Sequence, residues 1–364
     1  MKRDFRKTYR RATGGSAALR FIGRFSFFVF WTVLLTAVVL LGVIWVMEKG
    51  PSPTMTATFC RSMRETSAIQ WIPNIFLTDE EIDALKSQNT ENVETEAVNT
   101  SLIHIAQGDA PAAEPGVSGE PAVTAEPPLQ LIDIAEGTVK GKLLIVKDPS
   151  RVILGTSDNL GRQAGLQLTD MVAKYNGVAG VNAGGFNDEN GRGNGGIPQG
   201  LVITEGQLVW GNGSVMYNVI GIDRDYILHV GTMTGEQALA QGIQYGVSFV
   251  THDGLASSLI INGEVQTQNL ASGVNPRTAI GQRSDGAILL LVLDGRSINT
   301  LGATMENVVD VMLEYGAVNA GNLDGGSSSV MVYGGEIINN CASVTGPRYI
   351  PTGFIVLPEG ESHG

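Results

Sequence analysis

An uncharged apolar run near the N-terminus constrains this chain more than any other feature of its sequence. The run extends from Phe25 to Met47. At about 1.5 Å per helical residue it is long enough to cross a hydrocarbon core of roughly 30 Å. Trp31 and Trp45 lie toward its two ends, where indole rings favour the membrane interface. A cleaved signal peptide would have a shorter apolar region and a small-residue cleavage site, so we predict an uncleaved transmembrane helix over residues 25–47.

The residues that precede the run predict its orientation. Residues 1–24 are strongly basic, and basic flanks stay on the cytoplasmic side of a membrane. The prediction is therefore a single-pass protein of the cell membrane. Its basic tail (1–24) is cytoplasmic, and everything after Met47 is extracellular.

Two segments of different composition follow the apolar run. Residues 48–88 are interpreted as a membrane-proximal stalk without chemistry, with a short helix where Thr78 and Glu81 have capping-box spacing. Residues 89–128 contain seven acidic residues and five prolines but no lysine or arginine. Such a segment cannot bury enough apolar surface to offset its ordering entropy, which predicts a flexible linker. The remaining residues, 129–358, suffice for one sizeable domain or two small ones.

The pattern within residues 129–358 predicts the fold class. Short apolar runs alternate with glycine-containing turns, as is typical of strands and hairpins. Three helices are predicted, at Leu166–Tyr175, Gly235–Gln241 and Thr304–Tyr315. In the last, one apolar face combines Met305, Val308, Val309, Met312 and Leu313, with Thr304 as N-cap and Gly316 just beyond the end. Strictly alternating strands and helices are absent, so we predict an α+β fold with a mixed, strand-rich sheet.

Composition excludes several classes of partner. The net charge of −12 argues against nucleic acid, because phosphate contacts need a basic stripe. No cysteine or histidine motif of a transition-metal site occurs in the sequence, and no cofactor is predicted. Asn187–Asn190 is interpreted as a solvated loop, with a hard cation such as calcium left open. Cys60 and Cys341 are too few for a disulfide scaffold, and their pairing stays open.

Polar residues follow the ends of three predicted strands. These residues are Asn182, Asp294 and Asp324. If the strands are neighbours in one sheet, carboxylates, an amide and nearby arginines meet at one edge, where loops on a rigid scaffold build a site. Around Asp324 we predict a strand, a tight turn and a second strand, with the carboxylate at the tip. A polar hairpin turn and ordinary surface ion pairs are the alternatives.

Four motifs in a consistent order resemble the phosphodiester glycosidase family, which includes the lysosomal uncovering enzyme and many bacterial exopolysaccharide-associated proteins. They are Val181–Asp188, Asn275–Gly281, Asp294–Ser297 and Asn322–Gly326. Arg348 with Pro351 is similar to the family's C-terminal arginine–proline strand. The resemblance covers roughly residues 137–357. Ser327 and Asn307 depart from the family pattern, which has a glycine and a glutamate there.

The resemblance implies a chemistry as well as a fold. Such enzymes hydrolyse the C1–O bond between a sugar and a phosphodiester oxygen, here in envelope or exopolysaccharide material. A phosphate monoester leaves more readily than an alcohol, so phosphate-binding arginines matter more than a strong general acid. An oxocarbenium-like sugar needs a nearby carboxylate. The implied catalytic residues are Asp294 and Asp324, and the implied substrate-binding residues are Asn182, Asn275, Arg277, Arg296, Gly325, Gly326, Ser327 and Arg348.

Two other functions stay open at this point. A polysaccharide-binding or assembly module would keep the fold without turnover, as the departures at Ser327 and Asn307 suggest. An envelope esterase would take its nucleophile from Ser327–Ser329 and a base from His252-Asp253, but no G-x-S-x-G motif surrounds these serines. The sequence does not distinguish the roles of the two aspartates or retention from inversion. It also leaves open the sugar, the aglycone and the oligomeric state.

Overall fold

The computed structural model describes most of the chain: residues 14–66, 68–85, 96–105, 127–188, 193–250, 256–297, 299–343 and 346–361. Several predictions concern residues outside these ranges, namely the start of the basic tail, most of the acidic linker, His252-Asp253 and part of Asn187–Asn190. The chain forms two compact units, Met1–Thr56 and Ala57–Gly364.

The first unit consists mainly of helix α1 (Gly14–Lys49). The predicted apolar run lies inside this helix, and its large apolar side chains are exposed. In the part of the chain that the structure describes, Leu19–Lys49 of α1 is the one segment that is long and apolar enough, by length and composition, to cross a membrane. It therefore fits a signal anchor. Helix α2 (Pro53–Arg64) starts in the first unit and ends in the second.

The second unit is built around a seven-stranded sheet. In spatial order its strands are β1 (Leu129–Glu136), β2 (Val139–Val146), β13 (Ile288–Leu293), β12 (Arg277–Arg283), β14 (Ala317–Asn322), β10 (Ser258–Ile261) and β11 (Glu264–Val265). All of these neighbours pair antiparallel. Strand β13 lies near the centre, and all six of its residues are buried.

Two five-stranded antiparallel sheets complete the strand framework. One has the order β16 (Glu336–Ile337), β15 (Met331–Tyr333), β4 (Ala179–Asn182), β17 (Thr352–Val356) and β3 (Val152–Thr156). The other has the order β6 (Gln207–Trp210), β5 (Val202–Thr204), β9 (Ile243–Ser248), β7 (Met216–Asp223) and β8 (Leu228–Thr234). The α+β, strand-rich prediction is thus confirmed, with the strands divided among three sheets.

Four further helices lie in the second unit. They are α3 (Asp79–Leu85), α4 (Leu168–Lys174), α5 (Gly235–Ala240) and α6 (Met305–Glu314). One face of the seven-stranded sheet packs against α6, and the other shares a core with strands of both five-stranded sheets. Because apolar side chains alternate across a strand, the central strands supply residues to both cores.

Helix α6 illustrates how the sequence specifies an element. Thr304 and Asn307 form a reciprocal capping box, and Gly316 has a φ of +83° just past the end. Asn307, one departure from the family pattern, therefore has a structural role at this helix start. The buried face includes Val311, whereas Leu313 is 42% exposed, so the prediction was wrong for Leu313.

The segment around Asp324 is not a hairpin. Strand β14 precedes it in the seven-stranded sheet, and β15 follows it in a five-stranded sheet. Both edges of β14 are already occupied, by β12 and β10, so β15 cannot pair with it and instead lies between β4 and β16. A short 3₁₀ turn, Gly326–Ser328, lies within the crossing. This crossing brings Asp324 to the boundary between two sheets.

The two segments predicted to be a stalk and a linker pack more than their composition suggests. Cys60 is buried with Leu77 and Ile82 in a small core, and the Thr78–Glu81 capping box is present. Residues 96–105, within the predicted linker, also bind the domain: the Asn99 amide donates to Asn262 Oδ1 at 2.7 Å. Apolar residues inside an acidic stretch, such as Ile103, which is 7% exposed, explain this local packing. Cys60 and Cys341 are not joined by a disulfide.

Candidate active site

Three of the residues predicted from the sequence lie at the ends of neighbouring central strands, along one side of the seven-stranded sheet. Strand β12 begins at Arg277, which is paired with Leu293, the last residue of β13. Strand β14 ends at Asn322, which is paired with Ala279. Since these strands are antiparallel, the start of β12 lies beside the ends of β13 and β14. Arg277, Asp294 and Asp324 therefore belong to the same sheet edge, as the sequence predicted for the two aspartates.

Asn182 comes from a different sheet and connects it to this edge. Its Nδ2 donates to the backbone oxygen of Asp324 at 2.6 Å. Its Oδ1 accepts from Thr278 Oγ1 at 2.9 Å and from the Val330 amide at 3.1 Å. The side chain is fully buried. Asn182 thus holds the Asp324 turn in place. Its amide faces protein groups rather than solvent, which differs from the substrate-binding role that the resemblance implied for it.

The Asp324 carboxyl group lies in a mostly enclosed, charged environment. Its pKa is raised to about 7, mainly by burial and also by the nearby Asp188 carboxylate. Hydrogen bonds from the Ser328 side chain and the Gly325 amide, together with the Arg348 charge, oppose this increase in the pKa. A carboxyl group with this pKa exchanges its proton near neutral pH, which suits a catalytic acid or base.

Arg348 lies beside Asp324 and is held in one orientation. Its guanidinium makes a bidentate pair with the Asp188 carboxylate, at 2.7 and 3.1 Å. It also donates to Ser327 Oγ at 3.1 Å and stacks over the Phe186 ring at 5.3 Å from the ring centroid. Bidentate pairing fixes a guanidinium plane. Arg348 and Ser327 are therefore brought together with Asp324, as the resemblance implied.

A second basic group lies next to the Asp324 turn, at residues 325 and 326. Arg277 is 6% exposed, and its Nε donates to the Ala303 carbonyl at 3.0 Å. Arg296 donates to Asn275 Oδ1 at 2.9 Å. Desolvation and the neighbouring Arg277 charge lower the pKa of the Arg296 guanidinium. We call Asn275, Arg277 and Arg296 the arginine cluster.

Two glycines allow the turn to approach the arginine cluster closely. A Cβ atom on Gly325 would lie 2.9 Å from the Pro276 carbonyl oxygen. Gly326 has a φ of +62°, and a Cβ there would lie 3.3 Å from Arg296 Nη2. A side chain at either position would strain the backbone or displace its neighbours. The structure therefore explains why these two positions are glycine.

Asp294 occupies a separate environment at the same edge. Its Oδ1 accepts from the Asn340 amide at 2.9 Å and lies 3.4 Å from Asn339 Nδ2. Burial raises its pKa, whereas these hydrogen bonds and the Lys142 charge act in the opposite direction. The carboxylate that faces Asp324 and Arg348 most directly is instead Asp188. Among the described residues, no group of three or more His, Cys, Asp or Glu side chains could hold a metal ion.

The part of the chain that contains these residues matches a known protein family. The family model for phosphodiester glycosidases matches residues 175–357, which contain Asn182, Asp188, the arginine cluster, both aspartates and Arg348. The chain belongs to the phosphodiester glycosidase family. The resemblance inferred from the sequence motifs is thereby confirmed.

Relatives within and around the family match only parts of this chain. The SPbeta prophage-derived uncharacterized protein YomE of Bacillus subtilis is 38% identical over 88 residues, which are 24% of this chain and 14% of that protein. The mouse N-acetylglucosamine-1-phosphodiester alpha-N-acetylglucosaminidase is 28% identical over 151 residues, which are 38% of this chain and 29% of that protein. The chain thus spans less than a third of the length of either relative.

A solved structure agrees at the level of the fold. It is the zebrafish N-acetylglucosamine-1-phosphodiester alpha-N-acetylglucosaminidase catalytic domain, auto-inhibited by its pro-peptide. The alignment has a TM-score of 0.53 and 20% identity, and it covers 65% of this chain and 85% of that one. At this identity the likeness supports the α+β fold of the phosphodiester glycosidase domain and nothing finer.

Sequence reasoning missed three residues of the site. Asp188 was interpreted as part of a solvated loop, although it closes the motif that begins at Val181. Glu65 and Thr66, from the segment interpreted as a stalk, contact the arginine cluster. No local pattern marks these two residues, because their contacts join positions about 210 to 230 residues apart.

Proposed function

We propose that this protein hydrolyses glycosyl phosphodiesters. Water adds to C1 of the sugar, the C1–O bond breaks, and the phosphate leaves as a monoester that keeps the bridging oxygen. Membership of the phosphodiester glycosidase family supports the general reaction. The observation that carries the proposal is Asp324, whose pKa is about 7, at a turn between Arg348 and the arginine cluster.

The proposed roles follow from the charge of each side chain and from its position in the site. Arg277, Arg296 and Arg348 bind the phosphate group, since guanidinium groups match phosphate oxygens in geometry and charge. Asn275 orients Arg296, and the Gly325–Ser327 turn presents backbone close to the bound group. Asp324, in its ionised form, accepts a proton from the attacking water.

Asp294 and Asn182 have supporting roles around Asp324. Asp294 supplies a second negative charge at the sheet edge as positive charge develops on the sugar. Asn182 positions Asp324 through its bond to the Asp324 carbonyl. Its proposed role is therefore in placing the catalytic carboxylate rather than in contacting the sugar.

The test of this function is release of phosphate monoester from a panel of glycosyl phosphodiesters by the full-length protein in detergent. Turnover that is lost on replacing Asp324 supports the proposal. Saturable binding of polysaccharide without turnover of any diester, in the presence of a folded protein, would favour the binding-module alternative. Hydrolysis of acyl esters that depends on Ser327–Ser329 would favour the esterase alternative.

The pH dependence of kcat/KM reports the role of Asp324. Because the proposed base must be ionised, kcat/KM should rise with pH and level off above about 7. Asp188→Asn removes a charge that raises the pKa of Asp324, so it should move this rise to lower pH. Arg348→Gln removes a charge that lowers this pKa and should move the rise to higher pH. This shift is expected whatever the substitution does to the maximum value of kcat/KM. A rise that stays fixed in both variants would contradict the assignment.

We also propose that the domain is extracellular and anchored by α1. The basic residues before α1 and its apolar length support an N-terminus inside the cell. Protease added to intact cells with an accessible surface should therefore digest the domain, while a cytoplasmic control protein stays intact. Full protection of the domain until the membrane is permeabilised would reverse the proposed topology.

A further inference from the structure

Gly185, Gln199 and Phe249 lie against one another in the second unit. A Cβ atom on Gly185 would lie 2.7 Å from Gln199 Oε1 and 3.0 Å from Phe249 Cδ2. Gln199 is exposed and Phe249 is half-buried, so solvent reaches both side chains. We call these three residues the neutral patch, because none of them carries a charge. The roles proposed above for the arginines and aspartates do not involve it.

The backbone holds the neutral patch in place. The Gln199 amide donates to the Gly185 carbonyl at 2.8 Å, and the Gln199 carbonyl accepts from Ser248 Oγ at 3.2 Å. The Phe249 carbonyl accepts a hydrogen bond from Ser257 Oγ. In the part of the chain that the structure describes, the hydrogen bonds of Gln199 involve its backbone. Its side-chain amide is therefore left for a ligand.

Two short connections join the neutral patch to the Asp324 turn. The Asp324 amide donates to the Ala183 carbonyl at 2.9 Å, and Gly185 follows Ala183 by two residues. Phe249 is connected through Ser257, whose carbonyl accepts from the amide of the last residue of β14 at 2.7 Å. Asp324 is the second residue after that strand. The neutral patch therefore lies close to the carboxylate proposed as the base.

The Asp324 turn thus connects two groups of different chemistry. After Asp324 the chain continues to Gly325 and Gly326, which approach the arginine cluster. The contacts before Asp324 lead to the neutral patch. A glycosyl phosphodiester is divided in the same way, because its C1–O bond joins an uncharged or weakly charged sugar to an anionic phosphate. A carboxylate that acts at C1 needs one binding group for each part.

The neutral patch has the chemistry of a site for an uncharged sugar. An aromatic ring can cover the apolar C–H face of a sugar, and an amide can both donate to and accept from hydroxyl groups. Small-molecule sites typically combine apolar surface with a few polar groups in this manner. The φ of Gly185 is outside the left-handed region, so the backbone does not require glycine there. The missing side chain instead leaves room for close approach.

We infer that the neutral patch binds the sugar unit of the substrate and selects sugars without charge. The inference rests on the proposed function, because it assigns the second part of the same substrate. Phe249 packs against the sugar ring, Gln199 binds its hydroxyl groups, and Gly185 keeps the space between them open. The arginine cluster holds the phosphate, so that C1 lies beside Asp324.

Gln199→Ala in the full-length protein tests the polar contact. It should raise KM for a turned-over diester by roughly 2–10-fold, as expected for the loss of a hydrogen bond between neutral groups. The value of kcat should change little, because the contact is present in both the bound substrate and the transition state. Gln207→Ala, at the exposed start of β6, is the matched control and should leave KM unchanged.

Gly185→Ala and Phe249→Leu test the shape of the neutral patch. The first adds a methyl group where Gln199 and Phe249 meet, and the second keeps an apolar side chain but removes the flat ring. Both should raise KM, with an unfolding midpoint close to that of wild type. A purely structural role predicts the reverse, namely a lower midpoint with unchanged KM.

The selection against charge is tested with two diesters that share one aglycone, a glucosyl and a glucuronosyl phosphodiester. Wild type should have the higher kcat/KM for the glucosyl compound. Gln199→Lys adds a positive charge to the neutral patch and should narrow this preference by roughly 2–5-fold, as expected for an exposed ion pair. A wild-type preference for the glucuronosyl compound would contradict the selection.

Sugars without phosphate distinguish failure of this inference from failure of the proposed function. The probes are the methyl glycosides of glucose, galactose and N-acetylglucosamine, with methyl glucuronide as the charged counterpart. Saturation-transfer NMR on the full-length protein, in a detergent without sugar headgroups, should show binding of a neutral glycoside that weakens in Gln199→Ala and Gly185→Ala. Binding of this kind without turnover of any diester would support the neutral patch and overturn the proposed reaction. Turnover with unchanged KM in Gln199→Ala, Gly185→Ala and Phe249→Leu would overturn the neutral patch and leave the reaction standing.

Discussion

Replacing Asp324 with asparagine is expected to lower kcat for glycosyl phosphodiester hydrolysis by roughly 10²–10³-fold, the usual cost of losing one electrostatic contact in the transition state. Asparagine keeps the shape and the hydrogen bonds of the turn but cannot accept a proton or stabilise positive charge on the sugar. The pKa of about 7 indicates that the carboxyl group is already poised for proton transfer near neutral pH. A change in kcat with little change in KM is the expected pattern.

Asp294→Asn separates the contributions of the two aspartates. Its carboxylate accepts a hydrogen bond from the Asn340 amide, and its proposed role is to stabilise the positive charge that develops on the sugar, so we expect a reduced kcat with the fold intact. Asp310→Asn, on the exposed surface of α6, is the matched control and should behave like wild type. All three variants are compared by the rate of phosphate monoester release and by circular dichroism. Wild-type turnover in both folded site variants would refute the assignment of these two residues.

Replacing Asn182 with alanine is expected to destabilise the domain by about 3 kcal/mol or more. The change leaves the Thr278 hydroxyl, the Val330 amide and the Asp324 carbonyl without their partner in a buried place, and each unpaired group costs about 1–3 kcal/mol. The measurement is the midpoint of denaturant unfolding of the full-length protein in detergent, followed by tryptophan fluorescence.

Thr278→Val is the comparison that tests the reason for this cost. It removes only one of the three hydrogen bonds at Asn182 and keeps the volume of the side chain, so its effect should be about a third as large. Asn182→Ala should also reduce kcat, because the Asp324 turn loses its bond to β4. An unfolding midpoint that is unchanged in Asn182→Ala would show that the turn does not depend on this side chain.

Several features of this protein could be predicted from local sequence because local interactions determine them. Helix α1 follows from an uncharged run long enough to cross a membrane. Helix α6 follows from its apolar periodicity, its N-cap Thr304 and Gly316 at its end. The motifs containing Asp294 and Asp324 identified the family, because a strand followed by a polar residue and glycine is a contiguous pattern.

Other features depended on contacts between residues far apart in the chain. The sequence predicted a hairpin at Asp324, but β14 has no free edge and the chain crosses to another sheet. Asn182 follows a predicted strand and has a side chain that could bind a ligand. Its position between two sheets instead gives that side chain three protein partners. Only the packing of the sheets distinguishes these alternatives.

The sequence by itself therefore determined the long apolar helix, the strand-rich α+β class and the family, and it suggested which carboxylates and arginines to assign to the site. The tertiary structure decided how these groups are arranged: Asp188 beside Asp324, Asp294 in a separate environment, and Glu65 within the arginine cluster. The physical reason is the distance along the chain over which each interaction acts. Periodicity, capping and turn chemistry act over a few residues, whereas the pKa of Asp324 and the occupancy of Arg277 depend on burial and on charges that sequence positions far away bring into contact.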